Sequence, residues 1–192
     1  MDAAKAPTRH FPGLVDLVRS RGYERREEAF VLSSGTRSHD YVDMRRAVAR
    51  GADLELAARC VLSALADDGV VFDAIGGMTM GADPVAHAAA VLSATAWYSV
   101  RKAAKEHGAG RRIEGTALGP GLRAVVFEDT VSTGGSLLDA LGVVSETGCE
   151  IAAACTILDR GEQLREELDR RAVAFPYVRL LTYADLGIEP LG

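Results

Sequence analysis

The sequence has no apolar run of about 18 or more residues, the length that a membrane-spanning helix needs. It also lacks a charged-then-apolar leader at its start. Its three cysteines, Cys60, Cys149 and Cys155, have no CxxC or other metal-ligand spacing, and an odd number suits a reducing compartment. We therefore expect a soluble, cytoplasmic protein that contacts no membrane and keeps its cysteines in the core.

Lysine is also scarce, because only three of the 22 basic residues are lysines. Two of them, Lys102 and Lys105, lie in the segment VRKAAKEHG. A lysine ammonium on its flexible stem suits a mobile phosphate contact, although chance placement on a solvated surface is the alternative. The net charge of -5 argues against a general nucleic-acid binder. The pattern predicts a local site for an anionic small molecule and no nucleic-acid partner.

The length and the apolar content predict one domain over residues 1–192, since 48% hydrophobic residues in 192 can build one full core. A helix at 8–21 and a hairpin around a Ser/Gly turn would form a small N-terminal subdomain, about residues 8–45, over the site. Strands then alternate with helices, which predicts an α/β fold with a central parallel sheet flanked by helices on both faces. The predicted helices cover 53–66, 82–94, 136–147 and 162–171, and the predicted strands cover 70–77, 96–102, 123–128, 150–158 and 177–182.

Four polar segments follow strands of this predicted sheet, at 76–83, 101–116, 128–136 and 159–163. In parallel sheets the ligand crevice lies outside the carboxyl ends of the strands. The four segments therefore predict one shared site.

The segment TVSTGGS, residues 130–136, follows the strand AVVF and precedes a helical pattern. Gly134 and Gly135 allow a ligand to approach the backbone N–H groups, and the hydroxyls of the segment add donors. The amino end of the following helix carries partial positive charge. The segment therefore predicts a cradle for a phosphate monoester. It is not a Walker loop, because no GK[ST] follows.

Two acids, Glu128 and Asp129, come directly before the cradle. Two residues of strand span roughly 7 Å, which suits the vicinal hydroxyls of a ribose whose 5-phosphate lies in the turn. Carboxylates can accept hydrogen bonds from those hydroxyls and can stabilise a cation that develops on the sugar. The alternative is an acid pair that only caps the turn.

Five segments together resemble one family. VVFEDTVSTGGS is similar to the phosphoribosyl diphosphate motif of type I phosphoribosyltransferases. VRKAAKEHGAGRRIEG resembles the mobile catalytic loop of the orotate phosphoribosyltransferase branch. FVLSSGTRSHDYVDMR, IGGMTMGADPVA and ILDRGE resemble further segments of that branch, in its order and spacing. The resemblance spans roughly residues 28–187.

The resemblance implies the type I phosphoribosyltransferase fold, with a hood-like N-terminal segment, and a reaction. In that reaction the phosphoribosyl group passes from 5-phosphoribosyl 1-diphosphate to orotate, giving orotidine 5'-phosphate and diphosphate in pyrimidine biosynthesis. It implies Mg²⁺, held mainly by substrate and water and not by direct protein ligands. It also implies a homodimer in which the loop 101–116 is shared across the interface, so that Lys105 and His107 close over the neighbour's diphosphate.

The resemblance also assigns residues to roles. The catalytic residues are expected to be Glu128, Asp129 and Lys105. Those expected to bind phosphoribosyl diphosphate are Arg101, Lys102, Lys105, His107, Glu128, Asp129, Thr130, Val131, Ser132, Thr133, Gly134, Gly135 and Ser136. Those expected to bind orotate are Tyr41, Val42, Ser132 and Arg160, and Thr79 and Met80 match the loop beside the diphosphate. One departure is Ser33, which stands where some relatives have lysine.

Two other functions compete with this one. A regulator could keep the fold and sense phosphoribosyl diphosphate while it binds nucleic acid, but 192 residues leave no room for a winged helix and the net charge is negative. A phosphoribosyltransferase for another base is the second alternative, and Arg160 and the lysine-bearing loop disfavour it.

Overall fold

The computed structural model of this chain describes residues 11–31, 37–103 and 112–189. The helices are α1 (Pro12–Leu17), α2 (Met44–Ala47), α3 (Gly51–Asp67), α4 (Asp83–Ser93), α5 (Gly135–Ser145) and α6 (Gln163–Arg170), with a π-helical turn at Val18–Gly22 and a 3-10 turn at Ala184–Leu186. The strands are β1 (Tyr23–Val31), β2 (Arg37–Val42), β3 (Ala74–Met78), β4 (Ala96–Val100), β5 (Ile113–Gly115), β6 (Arg123–Val131), β7 (Glu150–Asp159) and β8 (Tyr177–Thr182).

Six of the described strands form one sheet in the order β5-β4-β3-β6-β7-β8. All neighbouring pairs are parallel except β4 and β5, which are antiparallel. The predicted α/β fold is therefore confirmed. The strand β5 was not predicted, because three residues inside a polar stretch give too short a pattern to indicate a strand.

Side chains of β6 alternate between two cores, as they must along a strand. Val125 and Phe127 join a core formed with α3, α4 and the N-terminal segment. Ala124 and Val126 join a second core with α5 and α6. The sheet is thus covered on both faces, as predicted.

The N-terminal segment contains the predicted hairpin, since β1 pairs with β2 in antiparallel register from Tyr23 opposite Val42. Leu14, Val18 and Val42 are buried in the same core as α3. The hairpin therefore stands beside the main sheet, and its carboxyl end is fixed to the rest of the domain by apolar packing. The separate subdomain over 8–45 stays a prediction.

Two boundaries differ from the sequence prediction in ways that matter for the site. The strand predicted over 123–128 continues to Val131, because its ladder with β7 persists as far as Val131 opposite Asp159. Asp129, Thr130 and Val131 are therefore strand residues as well, and not part of the turn. The short helix α2 was not predicted; Asp43 caps it by accepting a hydrogen bond from the N–H of Arg46 (3.1 Å).

No described helix is long and apolar enough to span a membrane.

The middle of the sheet depends on two glycines of β3, Gly76 and Gly77. A Cβ at Gly76 would collide with the backbone carbonyl of Tyr98, and one at Gly77 with that of Phe127. Both carbonyls belong to strands that pair with β3, so neither can move without disturbing a ladder.

Gly77→Ala should therefore lower the free energy of unfolding by about 2 to 4 kcal/mol, since overpacking against backbone cannot relax cheaply. Urea unfolding followed by circular dichroism measures the change. The matched control is Gly142→Ala on α5, where an added Cβ meets nothing within 4 Å; it should be neutral or stabilising by up to about 1 kcal/mol. Equal stability of Gly77→Ala and wild type would contradict this packing.

Candidate active site

A cleft of about 1060 Å³ lies at the carboxyl ends of β3, β4, β6 and β7. Each of the four polar segments predicted to converge contributes to its wall, together with the end of the hairpin. The lining segments are 41–45, 78–81, 101–103, 128–137 and Arg160. The structure therefore brings the four predicted segments together at one cleft.

Most of the predicted site residues line this cleft. They are Tyr41, Val42, Thr79, Met80, Arg101, Lys102, Glu128, Asp129, Thr130, Val131, Ser132, Thr133, Gly134, Gly135, Ser136 and Arg160. Lys105, His107 and Ser33 lie outside the described residues.

The predicted phosphate cradle is the connection from β6 to α5. Gly134 caps the helix with φ +82°, and a Cβ there would lie 2.6 Å from Cδ1 of Leu164. Only glycine allows both the positive φ and the close approach of Leu164. The helix begins at Gly135, so the N–H groups of its first turn have no partner within the helix and border the cleft. The arrangement can hold a dianionic group through backbone N–H groups, hydroxyls and the helix dipole.

The acid pair lies at the floor of the cleft, with Glu128 buried and Asp129 half-buried. Glu128 is only 8% exposed, and its Oε2 has no hydrogen-bond partner among the described residues. Burial, followed by the negative charge of Asp129, raises the pKa of Glu128 to about 9. Burial also raises the pKa of Asp129, while the N–H of Thr130 (2.8 Å to Oδ1) opposes that rise. Two close carboxyls with raised pKa values form a site that positive charge would stabilise.

Gly81 allows the acid pair and the loop after β3 to approach each other. A Cβ at Gly81 would lie 2.8 Å from Oδ1 of Asp129. Sequence reasoning did not single out this residue, although the repeated glycines of GGMTMG were a signal. The loop also has a cis peptide bond between Thr79 and Met80.

The loop after β3 is tied to β4 through one carboxylate. Asp83 accepts hydrogen bonds from Thr79 Oγ1 (2.6 Å) and from Ser99 Oγ (2.7 Å). Ser99 lies two residues before Arg101, so this carboxylate fixes two cleft segments relative to each other. Neither Asp83 nor Ser99 was predicted as a site residue.

Arg160 forms the other end of the cleft, where three predicted residues meet. Its side chain is nearly buried and donates to the carbonyl oxygen of Val42 (Nη2, 2.9 Å) and to Ser132 Oγ (Nη1, 3.2 Å). Its Nε has no partner among the described residues. The guanidinium is thus held in place with donor capacity left over.

The fully buried carboxyl of Asp159 orients the backbone on either side of Arg160. It accepts hydrogen bonds from the N–H of Gly161 (3.3 Å) and from Tyr177 Oη (2.8 Å), and it lies 3.6 Å from Arg179 Nη1. Sequence reasoning named Arg160 and missed this neighbour.

Arg112 holds together the two described ends of the segment 101–116. It donates to the carbonyl oxygens of Arg101 (2.9 Å) and Lys102 (3.2 Å), and its guanidinium makes two hydrogen bonds to Asp139 of α5 (2.9 and 2.6 Å). Arg101 and Lys102 are therefore fixed relative to the helix that begins at the cradle. Nothing in the sequence pattern singled out the pair Arg112–Asp139, because 27 residues separate them.

The fold defines the class of protein, since solved structures share it. The Mycobacterium tuberculosis orotate phosphoribosyltransferase in complex with 5-phospho-α-D-ribosyl 1-diphosphate superposes with a TM-score of 0.73 at 33% identity, over 92% of this chain and 98% of that one. The orotate phosphoribosyltransferase of Aeropyrum pernix gives 0.75 at 28% identity, over 90% and 95%. These similarities define a type I phosphoribosyltransferase.

Sequence comparison makes the assignment narrower. No family model matches the chain. The orotate phosphoribosyltransferase of Streptomyces coelicolor, however, is 43% identical over 166 residues, which cover 82% of this chain and 87% of the relative. The chain belongs to the orotate phosphoribosyltransferase family, and the resemblance stated from its motifs is confirmed.

The raised pKa of Glu128 gives a prediction about stability and pH. Between 4.5, the ordinary value, and about 9, the folded protein keeps a proton that the unfolded chain has lost. Stability should therefore fall as the pH rises through this window, by at most about 1.4 kcal/mol per pH unit for this one proton. Glu128→Gln removes the titrating group, so the variant without substrate should lose less stability than wild type across the window.

Urea unfolding at several pH values from about 5 to about 9 tests this linkage. The control is Glu166→Gln on the exposed side of α6, which should follow the wild-type profile. A Glu128→Gln profile parallel to wild type would show that the carboxyl is ionised in the folded protein.

Proposed function

We propose that this protein is a Mg²⁺-dependent orotate phosphoribosyltransferase, which transfers the phosphoribosyl group of 5-phosphoribosyl 1-diphosphate to orotate. The observation that carries the proposal is one cleft that joins an anion cradle, a pair of acids at its floor and a fixed guanidinium. The relatives at 43% and 33% identity, both orotate phosphoribosyltransferases, support the same reaction.

The cradle and the acid pair suit the two ends of a ribose 5-phosphate. The first turn of α5 and the hydroxyls of residues 130–136 would bind the 5-phosphate. Glu128 and Asp129, one to two residues earlier on β6, would accept hydrogen bonds from the ribose hydroxyls. Asp129, and Glu128 once nearby cations have lowered its pKa, would place negative charge beside the oxocarbenium-like sugar that forms as the bond to diphosphate breaks, and so would lower the barrier.

The leaving diphosphate needs positive charge on the opposite side of the ribose. Arg101 and Lys102 line that part of the cleft, beside the loop with Thr79. Lys105 of the same segment would add a further cation, and His107 would add a hydrogen-bond donor. Cations there would neutralise the charge that develops on the leaving group.

The acid pair offers carboxylate oxygens, which Mg²⁺ prefers, and we propose that the ion takes most of its ligands from substrate and water. No group of three or more His, Cys, Asp or Glu side chains that could hold a metal occurs in the described parts of the chain. Glu128 and Asp129 do offer two carboxyls, one buried and one half-buried, and Glu128 Oε2 has no partner among the described residues. When bound, Mg²⁺ supplies positive charge to the diphosphate oxygens, and the two acids would face it through the ribose hydroxyls and water.

The base would lie between the end of the hairpin and Arg160. The guanidinium can form a planar, two-pronged hydrogen bond with a carboxylate or with a ring carbonyl. Ser132, Tyr41 and Val42 line the same end. Because Val42 and Ser132 already accept bonds from Arg160, the pocket is largely formed before the base enters.

The experiment that tests the function is an assay of four bases, with phosphoribosyl diphosphate and Mg²⁺. We expect release of diphosphate with orotate and none with uracil, hypoxanthine or adenine. Turnover of another base in place of orotate would assign a different substrate. Binding of phosphoribosyl diphosphate without turnover of any base would favour a regulator.

We propose further that two copies form a dimer that shares the segment 101–116. Its described ends follow β4 and form the edge strand β5, so these ends lie at the border of the sheet. The same border carries an exposed face, here called the α4–β4 face, formed by His87, Val91 and Trp97. His87 and Trp97 are in ring contact (4.5 Å between centroids), and Val91 is 80% exposed. A second copy on this face would bury it and would bring the segment near the partner's cleft.

A mixed dimer tests the shared site. Lys105→Ala removes a residue proposed to act in the partner's cleft, and Asp129→Asn removes an acid from its own. Each variant alone should be nearly inactive, but a mixed dimer contains one site without either change. Random mixing of equal amounts makes half of the dimers mixed, so co-refolding should restore about a quarter of wild-type activity.

The control mixes each variant with itself under the same refolding conditions, and native mass spectrometry of differently tagged chains counts the mixed dimers. No recovery in a sample that contains mixed dimers would mean that each chain completes its own site.

A cytoplasmic location is also our proposal. It is supported by Cys60, Cys149 and Cys155, which are buried thiols, as expected in a reducing compartment.

A further inference from the structure

Arg45 lies in the wall of the cleft, although the sequence pattern gave it no role. It follows Asp43 and Met44 in α2, and this short helix is firmly seated. Met44 is 2% exposed and Ala47 is fully buried, while Asp43 caps the first turn. The backbone of Arg45 is therefore fixed, and its side chain is presented to the cleft.

The cleft divides its positive charge between two ends. Among the described residues that line it, the cations are Arg45, Arg101, Lys102 and Arg160. Arg101 and Lys102 belong to the diphosphate end. Arg160 is bonded to the carbonyl of Val42, three residues before Arg45, so these two guanidinium groups belong to the other end.

Arg45 and Arg160 also act on the same acid. Burial raises the pKa of Asp129, and the positive charges of both arginines oppose that rise. Both guanidinium groups thus lie close enough to the Asp129 carboxyl, beside the proposed ribose position, to act on its charge. A single guanidinium group would be enough to orient a base that carries no charge.

The guanidinium of Arg45 contributes little to the stability of the fold through its contacts with the described residues. Its ion pair with Asp43 is long (3.7 Å, Nε to Oδ1) and solvated, since the Arg45 side chain is 55% exposed. Such a pair contributes little to stability. Its neighbour Arg46 has the same charge and similar exposure, 65%, but pairs with Glu24 (3.8 Å) and is not part of the cleft wall.

We propose that Arg45 is a second guanidinium for the base, which recognises the carboxylate of orotate together with Arg160 and so selects an anionic pyrimidine. This inference rests on the proposed function and assigns a residue within it. Two cations around one carboxylate would strengthen the binding of a ring that carries this negative group. They would contribute little to the binding of the same ring without the carboxylate, because only the charged group gains strong, charge-assisted hydrogen bonds.

Two nucleotides that differ only in this carboxylate provide the test: orotidine 5'-phosphate and uridine 5'-phosphate. Their affinities are measured by calorimetric titration of wild type, Arg45→Ala and the matched control Arg46→Ala. Arg45→Ala should weaken binding of orotidine 5'-phosphate about 10- to 100-fold and that of uridine 5'-phosphate less than about twofold. Arg46→Ala should leave both affinities as in wild type.

Steady-state kinetics gives an independent readout. The KM for orotate should rise in Arg45→Ala by a similar factor, about 10- to 100-fold, while the KM for phosphoribosyl diphosphate stays near the wild-type value. Arg45→Lys keeps the charge without the planar fork and should fall between Arg45→Ala and wild type. Thermal melts of all variants confirm that they are folded.

The outcomes separate the inference from the function on which it rests. Equal weakening of both nucleotides, or a rise only in the KM for phosphoribosyl diphosphate, would move Arg45 to the ribose or the diphosphate and overturn the inference. Unchanged affinities in Arg45→Ala would also overturn it. Failure of the wild-type protein to use orotate at all would instead overturn the proposed function.

Discussion

The parallel pairing of β6 with β7 is the interaction on which the cleft depends. It continues past the apolar core to Val131 opposite Asp159, and the N–H of Arg160 still bonds to the carbonyl of Val131 (3.0 Å). This ladder keeps the acid pair extended at the floor of the cleft. It also delivers Arg160 beside Ser132 at the cleft's end. If the ladder were shorter, the acids would lie on one loop and the guanidinium of Arg160 on another.

The same ladder places charge where it is costly. Glu128 is buried beside Asp129, and both pKa values are raised because burial disfavours the charged form. A protein that only had to be stable would place an apolar residue there. The acids make sense as part of a site that cations and a developing positive charge complete. Stability without substrate is then lower at neutral pH than the fold could otherwise reach.

Around this floor, single polar side chains fix whole segments. Asp83 joins the loop after β3 to β4, Asp159 fixes the turn that carries Arg160, and Arg112 joins two ends of one segment to α5. The bonds of Asp83 to Ser99, of Asp159 to Tyr177 and of Arg112 to Asp139 each cross between elements, and each fixes a segment that contributes to the cleft wall. The cleft is thus organised before any ligand binds, which lowers the entropic cost of orienting the substrates.

The resemblance to the family, and not local chemistry, singled out Arg160. The sequence by itself determined the fold class and the order of the main elements, and it predicted the phosphate cradle and the acid pair. These follow from local chemistry: apolar periodicity, glycines before a helix, and acids at a strand end all act within a few residues. Only the tertiary structure decided the length of β6, the raised pKa values, the Arg112–Asp139 pair and the position of Arg45 in the cleft. Those features depend on residues far apart in the chain, and on the loss of water around them. No local sequence pattern indicates these distant contacts or this loss of water.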